Sequence, residues 1–266
     1  MERRIHMKFL HLSDTHYLDN YQGEFEVFGI DYEPHEKLFH ALETFDFNSV
    51  DFVVNTGDLI HDGGVEDYQA LDRILRSYMP KDMPLYYVLG NHDNKAAFYQ
   101  ALYGKEADEG LNYVVDFQGY RLIILDTAEQ SRHHGIISKE MEAWLADQLA
   151  KPSEKGTLLF HHHPLLIGWE PGVIETEISD SYLDLLEESD VRGIFTGHLH
   201  ENRHAMVRNI PQHTAASLAF GLEQVGDVAF FTDQLGYSVV EVNDETIDVF
   251  TKTTNPVTER YKQQRL

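Results

Sequence analysis

Cysteine is absent from this 266-residue sequence, so neither a disulfide nor a thiolate metal ligand is available to it. Positive charge is also scarce. The 21 lysines and arginines stand against 45 aspartates and glutamates, and the formal net charge of −24 repels a phosphate backbone, which disfavours binding along a long nucleic acid. No apolar run approaches membrane-spanning length. The stretch Lys8-Phe9-Leu10-His11-Leu12, after a charged Met1 to Met7, is too short and too interrupted for a signal-peptide core. A cytoplasmic protein is therefore expected, with Met7 as an alternative start. Repeats, linkers and low-complexity segments are missing as well. With 42% hydrophobic and 25% charged residues, the composition suits a single globular domain over residues 1–266, ending in a polar tail from about Lys252.

What the sequence has in quantity is histidine, 16 in all, and much of it stands where apolar runs stop. Val50-Asp51-Phe52-Val53-Val54-Asn55-Thr56 reads as a buried strand, and it ends in Gly57-Asp58, where the glycine lets the backbone crowd a ligand and the carboxylate supplies charge. Four other apolar runs finish in Asp14-Thr15-His16, Gly90-Asn91-His92-Asp93, His161-His162-His163-Pro164 and Gly197-His198-Leu199-His200. Each motif alone is unremarkable: most Gly-Asp pairs are turns, and a lone His-x-His is more often a polar strand end. Five in succession imply a metal centre.

The remaining pattern is that of a layered α/β fold. Helices are expected from His35, with Leu38, Leu42 and Phe45 on one stripe, from about Glu66 to Tyr78, over Lys95 to Leu102, from an N-cap at Ser138 through Ala150, and over Ile178 to Glu188. Strands are expected at Met7 to Ser13, Leu85 to Leu89, Thr157 to Phe160 and Val191 to Thr196, with a hairpin of Leu111 to Phe117 and Tyr120 to Asp126 around Gln118-Gly119. After His200 the pattern changes. Ala205 to Val207, His213 to Ser217, Gly236 to Val242 and Thr246 to Thr251 read as short antiparallel strands forming a second sheet. The long loop Tyr17 to Glu33 reads either as a packed surface loop or as a substrate wall.

Imidazole and carboxylate suit Mn, Fe, Zn or Co, and an amide oxygen adds a hard ligand. Two such ions, roughly 3.5–4 Å apart, need a shared carboxylate, and Asp58 is the natural bridge. One ion would take Asp14, His16, Asp58 and His200; the other would take Asp58, Asn91, His162 and His198. A water bridging them becomes hydroxide near neutral pH and serves as nucleophile. His92, next to Asn91, is the candidate proton donor to a leaving alkoxide, worth about 10²–10⁴ in rate. Asp93 either orients His92 or caps the helix at Lys95. His61 and His204 adjoin motifs and could touch substrate. His11, His35, His40, His133, His134 and His213 read as surface or packing residues.

In these blocks, Asp-x-His, Gly-Asp, Gly-Asn-His-Asp, His and Gly-His-x-His in order, the sequence resembles the calcineurin-like metallophosphoesterase superfamily over residues 8 to about 220. The resemblance implies a four-layer αββα sandwich of two mixed sheets flanked by helices, a dimetal site at the sheet ends and the ligand set above. The family's His-x-Pro pattern, with Pro164, selects His162 within the triple histidine. Asp62-Gly63-Gly64 lacks the arginine that protein Ser/Thr phosphatases carry after Gly-Asp, and His61 stands where purple acid phosphatases place a tyrosine. The sequence is most similar to the class III cyclic nucleotide phosphodiesterase and glycerophosphodiesterase group. It departs from that group at Leu165, where a second proline is usual. The resemblance implies hydrolysis of a small phosphodiester, a 3',5'-cyclic nucleotide first and a glycerophosphodiester or a broader range of phosphoesters as the alternative. A metal-binding scaffold or regulatory protein is the non-enzyme alternative, and a homodimer is compatible with either.

Overall fold

The computed structural model describes residues 7–129, 132–165, 176–226, 228–255 and 260–265. In chain order the elements are β1 (Met7–Leu12), α1 (Pro34–Thr44), β2 (Phe52–Thr56), α2 (Val65–Tyr78), β3 (Leu85–Val88), α3 (Lys95–Tyr103), β4 (Tyr113–Phe117), β5 (Tyr120–Ile124), α4 (Lys139–Leu149), β6 (Thr157–Phe160), α5 (Asp180–Glu187), β7 (Val191–Thr196), β8 (Arg203–Val207), β9 (Ile210–Thr214), β10 (Gly221–Val225), β11 (Val228–Thr232), β12 (Leu235–Val242), β13 (Ile247–Asn255) and β14 (Arg260–Arg265). Helix starts follow the expected capping chemistry. Ser138 accepts from Met141 N at α4, Asn94 from Ala97 N at α3, and Ser179 from Tyr182 N at α5.

Two mixed sheets form, in the orders β13-β12-β1-β2-β3 and β4-β5-β6-β7-β9-β8. Strand alternation sends successive side chains to opposite faces. Phe9, Phe52, Val54 and Val88 from the first sheet meet Leu122, Ile124, Leu158, Phe160 and Phe195 from the second in one buried layer. The opposite face of the first sheet, with Leu10, Leu12 and Val53, packs on Leu38 and Leu42 of α1 and Leu71 and Leu75 of α2. On the outer face of the second sheet, Ile123, Leu159 and Ile194 cover Leu145 of α4 and Tyr182 and Leu186 of α5. These three apolar layers are what make the fold a helix, sheet, sheet, helix stack.

The late strands depart from expectation. They do not form a second sheet of their own: β8 and β9 extend the sheet of β4 to β7, while β12 and β13 pair onto β1 in the other. A small third sheet, β10-β11-β14, is an addition, and much of the polar tail is strand, in β13 through Asn255 and in β14. Residues 256–259 and 266 of that tail, and residues 1–6, lie outside the described residues. Strands β1, β2 and β3 are mutually parallel, as are β5, β6, β7 and β9, so the turns after β1, β2, β3, β6 and β7 gather at carboxyl ends, where α/β sheets place their ligands. No helix among the described residues is long and apolar enough to cross a membrane.

Candidate metal centre

Three of those five turns, after β1, β2 and β7, leave their strands abruptly, and the backbone shows it. Asp14 (φ 51°), His16 (φ 41°), Asp58 (φ 47°), His198 (φ 73°) and His200 (φ 54°) all sit in the left-handed region. For residues with a Cβ this costs on the order of 1–3 kcal/mol each, a strain that persists only where the surrounding structure imposes it. Crowding imposes it here. Gly57 (φ 97°) lies so close to the His162 ring that a Cβ would stand 2.6 Å from Nδ1, and a Cβ on Gly90 would be driven into the Asp58 carboxylate. The turns are stitched directly: His16 N donates to Asp58 O (2.9 Å), Asp14 N to Gly57 O (3.0 Å), His198 N to the Asp14 carboxylate (3.0 Å), and His92 N to Asp58 Oδ1 (2.8 Å).

Asp14, His16, Asp58 and His200 come together in one buried group whose candidate ligand atoms lie within 4.8 Å of one another. His162 and His198 form a second such group with His163. Asp58 joins the two, with Oδ2 at 3.6 Å from His16 Nε2 and 3.2 Å from His162 Nε2. Asn91 is flanked by Gly90 and His92, both of which crowd Asp58, and its Oδ1 is buried with no hydrogen-bond partner.

The donor set fits cations. His162 Nδ1 is 2.7 Å from Thr56 O and His200 Nδ1 is 2.7 Å from Phe220 O, and a carbonyl can only accept. Both rings therefore carry a proton on Nδ1, which leaves Nε2 as the nitrogen turned inward. There His200 Nε2 faces His16 Nε2 at 3.2 Å and Asp14 Oδ1 at 3.2 Å. The Nε2 atoms of His162, His163 and His198 are likewise buried without hydrogen-bond partners. Ligand atoms gathered this closely in a low-dielectric interior suit a positive charge among them.

Titration tendencies agree. Burial holds His16 well below the usual histidine range despite the Asp58 carboxylate, and burial with the His162 imidazole does the same for His198, so both rings are neutral at neutral pH. Burial alone would raise Asp58, yet His162, His92 and His16 together hold it well below the ordinary carboxylate range. Burial opposes protonation of His162 too, but Asp58 outweighs it and brings the ring up to about 9 in the metal-free protein.

His92 stands at the open side of the cluster. Its Nδ1 lies 3.2 Å from Asp62 Oδ1, its ring stacks on His61 (centroids 4.7 Å, 23°), and exposed His133 faces it at 6.3 Å between centroids. Asp62 is a partner the sequence reading missed. The cap of α3 is Asn94, and the Asp93 carboxylate makes its hydrogen bonds away from the His92 ring. It accepts from Leu59 N, Ile60 N, Gly90 N and the Tyr68 hydroxyl, locking the turn after β2 to the turn after β3. Removing these acceptors strands buried donors, so Asp93→Ala is expected to cost about 3 kcal/mol or more and to lower Tm by on the order of 10 °C in a thermal melt. An unchanged Tm would refute that account.

The other histidines divide. His11 and His213 are buried against Thr56 and Ser238, and His204 pairs with His213 on β8, outside the Asp/His groups. The loop Tyr17 to Glu33 packs and walls at once: Phe25 is fully buried among Phe28, Phe220 and Phe231, and its ring stands edge-on to His61 at 4.8 Å and to His16 at 6.3 Å.

Two packed mixed sheets with a buried Asp/His cluster at their carboxyl ends define the class, a layered α/β sandwich with a site able to hold metal ions. The family model described as calcineurin-like phosphoesterase matches residues 7–202, and the chain belongs to that family. Among its relatives, a probable cyclic nucleotide phosphodiesterase of Rhodococcus erythropolis is 32% identical over 246 residues, 90% of this chain and 80% of the relative. A cAMP/cGMP dual specificity phosphodiesterase of Mycobacterium tuberculosis is 31% identical over 221 residues, 79% of this chain and 67% of the relative. The fold is similar to that of a purple acid phosphatase from yellow lupin seeds, with a TM-score of 0.65 at 14% identity, covering 98% of this chain and 53% of that one.

Proposed function

We propose that this protein hydrolyses small phosphodiesters with the aid of two bound metal ions, and that 3',5'-cyclic nucleotides are its first class of substrate. The single observation that carries the reading is the convergence at the centre: buried imidazole, carboxylate and amide groups from five turns meet there, and the Nε2 atoms of His162, His163 and His198 and Asn91 Oδ1 find no hydrogen-bond partner. Asp14, His16, Asp58 and His200 would hold one ion, and Asp58, Asn91, His162 and His198 the other. Cations of the Mn, Fe, Zn or Co kind would supply Lewis acidity toward a phosphoryl oxygen and acidify a water at neutral pH.

The chain's own groups supply the rest. His92 is anchored through Nδ1 to Asp62, which leaves Nε2 as the proton donor to the departing alkoxide when the phosphorus–oxygen bond breaks. His61 stacks on His92, and Phe25 closes the flank behind His61. The names of the two relatives support the cyclic nucleotide class.

A panel of bis-p-nitrophenyl phosphate, cyclic AMP, cyclic GMP and glycerophosphocholine with Mn²⁺ tests the assignment. Cyclic nucleotides are expected to give the highest kcat/KM. A clear preference for glycerophosphocholine would move the substrate class, and no turnover of any diester would sink the enzymatic reading.

A further inference from the structure

A neutral imidazole that binds a cation through one nitrogen carries its proton on the other, and that N–H needs an acceptor when it is buried. For His162 and His200 the acceptors are the backbone carbonyls of Thr56 and Phe220. His16 is different. Its Nε2 faces Asp58 Oδ2 and His200 Nε2, so this is the nitrogen turned toward the cation, while its Nδ1 meets Nδ1 of His61 at 3.0 Å. No other hydrogen-bond partner of His16 Nδ1 is found among the described residues.

Two ring nitrogens at that distance share one proton. With the His16 proton on Nδ1, His61 Nδ1 must be the acceptor, and the proton of neutral His61 resides on Nε2. We infer that His61 is the positioning residue of the cation site formed by Asp14, His16, Asp58 and His200: it accepts the His16 proton, fixes the tautomer and ring angle of that ligand, and thereby sets the affinity of that one site. The inference rests on the two-cation reading above.

The juxtaposition is built into the backbone. His16 N donates to Asp58 O and Tyr17 N to Leu59 O, and Tyr17 and Ile60 form a parallel bridge, so the segments carrying the two histidines run side by side. The His61 ring is held between the edge of Phe25, at 4.8 Å and 88°, and the face of His92, at 4.7 Å and 23°. A phenyl ring in that place would keep an aromatic contact on both sides and offer His16 no acceptor. An asparagine would lose both ring contacts and keep an oxygen about where Nδ1 lies.

The test compares wild type, His61→Phe and His61→Asn, each loaded with Zn²⁺, dialysed against graded chelator and measured for metal per chain. Wild type and His61→Asn are expected to retain two ions over the same chelator range to within a few-fold. His61→Phe is expected to lose one ion at about 10–100-fold lower chelator strength while keeping the other. Thermal melts of the metal-free proteins verify folding. Should His61→Phe not fold, His61→Leu, which also lacks an acceptor, takes its place with the same expectation. Retention of both ions by the acceptor-deficient variant at wild-type strength overturns the inference, and so does loss by His61→Asn equal to that of His61→Phe. A wild type that takes up fewer than two ions overturns the two-cation reading itself, and this inference with it.

Discussion

Asp58→Asn is expected to leave the protein folded but unable to retain either ion after dialysis, with turnover of a phosphodiester falling by at least about 10³-fold. The magnitude follows from losing cation stabilisation worth roughly 4 kcal/mol at about 1.4 kcal/mol per tenfold in rate. Asparagine is the informative replacement. It tolerates the left-handed backbone at φ 47° and keeps an oxygen for the His92 N–H, so the change removes charge and little else. Without that charge neither ligand group has its shared anion, whereas Asp14→Asn weakens only the group it belongs to. The two variants therefore differ in stoichiometry, none against one, which metal analysis reads directly. In the metal-free wild type, His162, His92 and His16 hold Asp58 below its unfolded value against the effect of burial. The stability this lends is present above the ordinary carboxylate range and is lost as pH falls through the depressed folded value. Asp58→Asn should thus melt slightly lower than wild type at pH 7 and lose that difference in acid. An Asp58→Asn protein that keeps two tightly bound ions would remove the basis for a shared carboxylate.

The order of the five turns was legible in the sequence because each follows a buried strand, and buried parallel strands announce themselves as apolar runs closed by a glycine or a polar residue. The helical layers were legible for a related reason, since the Leu38 and Leu42 stripe and the Ser138 cap are local signals. Partner choice between strands was not. The strands β8, β9, β12 and β13 have similar short patterns, yet the first two join one sheet and the last two the other, and nothing local to a strand records which edge it will extend. The strand β14, Arg260–Arg265, is mostly polar, so alternation could not reveal it. At the site, residue types were visible but directions were not. Asp93 adjoins His92 in sequence, yet left-handed turns and tight glycines send its carboxylate to the backbone of Leu59 and Gly90 and leave Asp62 to meet His92. An aspartate following the expected glycine-aspartate turn was the available signal for that partner.

On the proposed mechanism His92→Ala removes a proton donor and no metal ligand, so it is expected to retain both ions and lose about 10²–10⁴ in kcat. The proton it carries is governed by its neighbours. Burial works against the imidazolium, but the Asp58 carboxylate and the hydrogen bond to Asp62 prevail and raise His92 to about 9 in the metal-free protein. A histidine raised in this way stabilises the fold fully below its unfolded value near 6.5, and that contribution fades as pH rises through about 9. Removing the Asp62 charge lowers the value, so an NMR titration of EDTA-stripped Asp62→Asn should place the His92 transition below that of wild type. Cations drawn to Asp58 act in the same direction, since they offset the carboxylate that favours the imidazolium. In the loaded enzyme the alkaline limb of kcat should therefore lie below pH 9, and Asp62→Asn should move it lower still. Loss of the donor is also felt unequally by different substrates. A p-nitrophenolate leaves without protonation, whereas a ribose alkoxide needs the proton, so His92→Ala should slow cyclic AMP far more than bis-p-nitrophenyl phosphate. Equal losses on the two substrates would assign His92 to holding the phosphoryl group instead of delivering a proton.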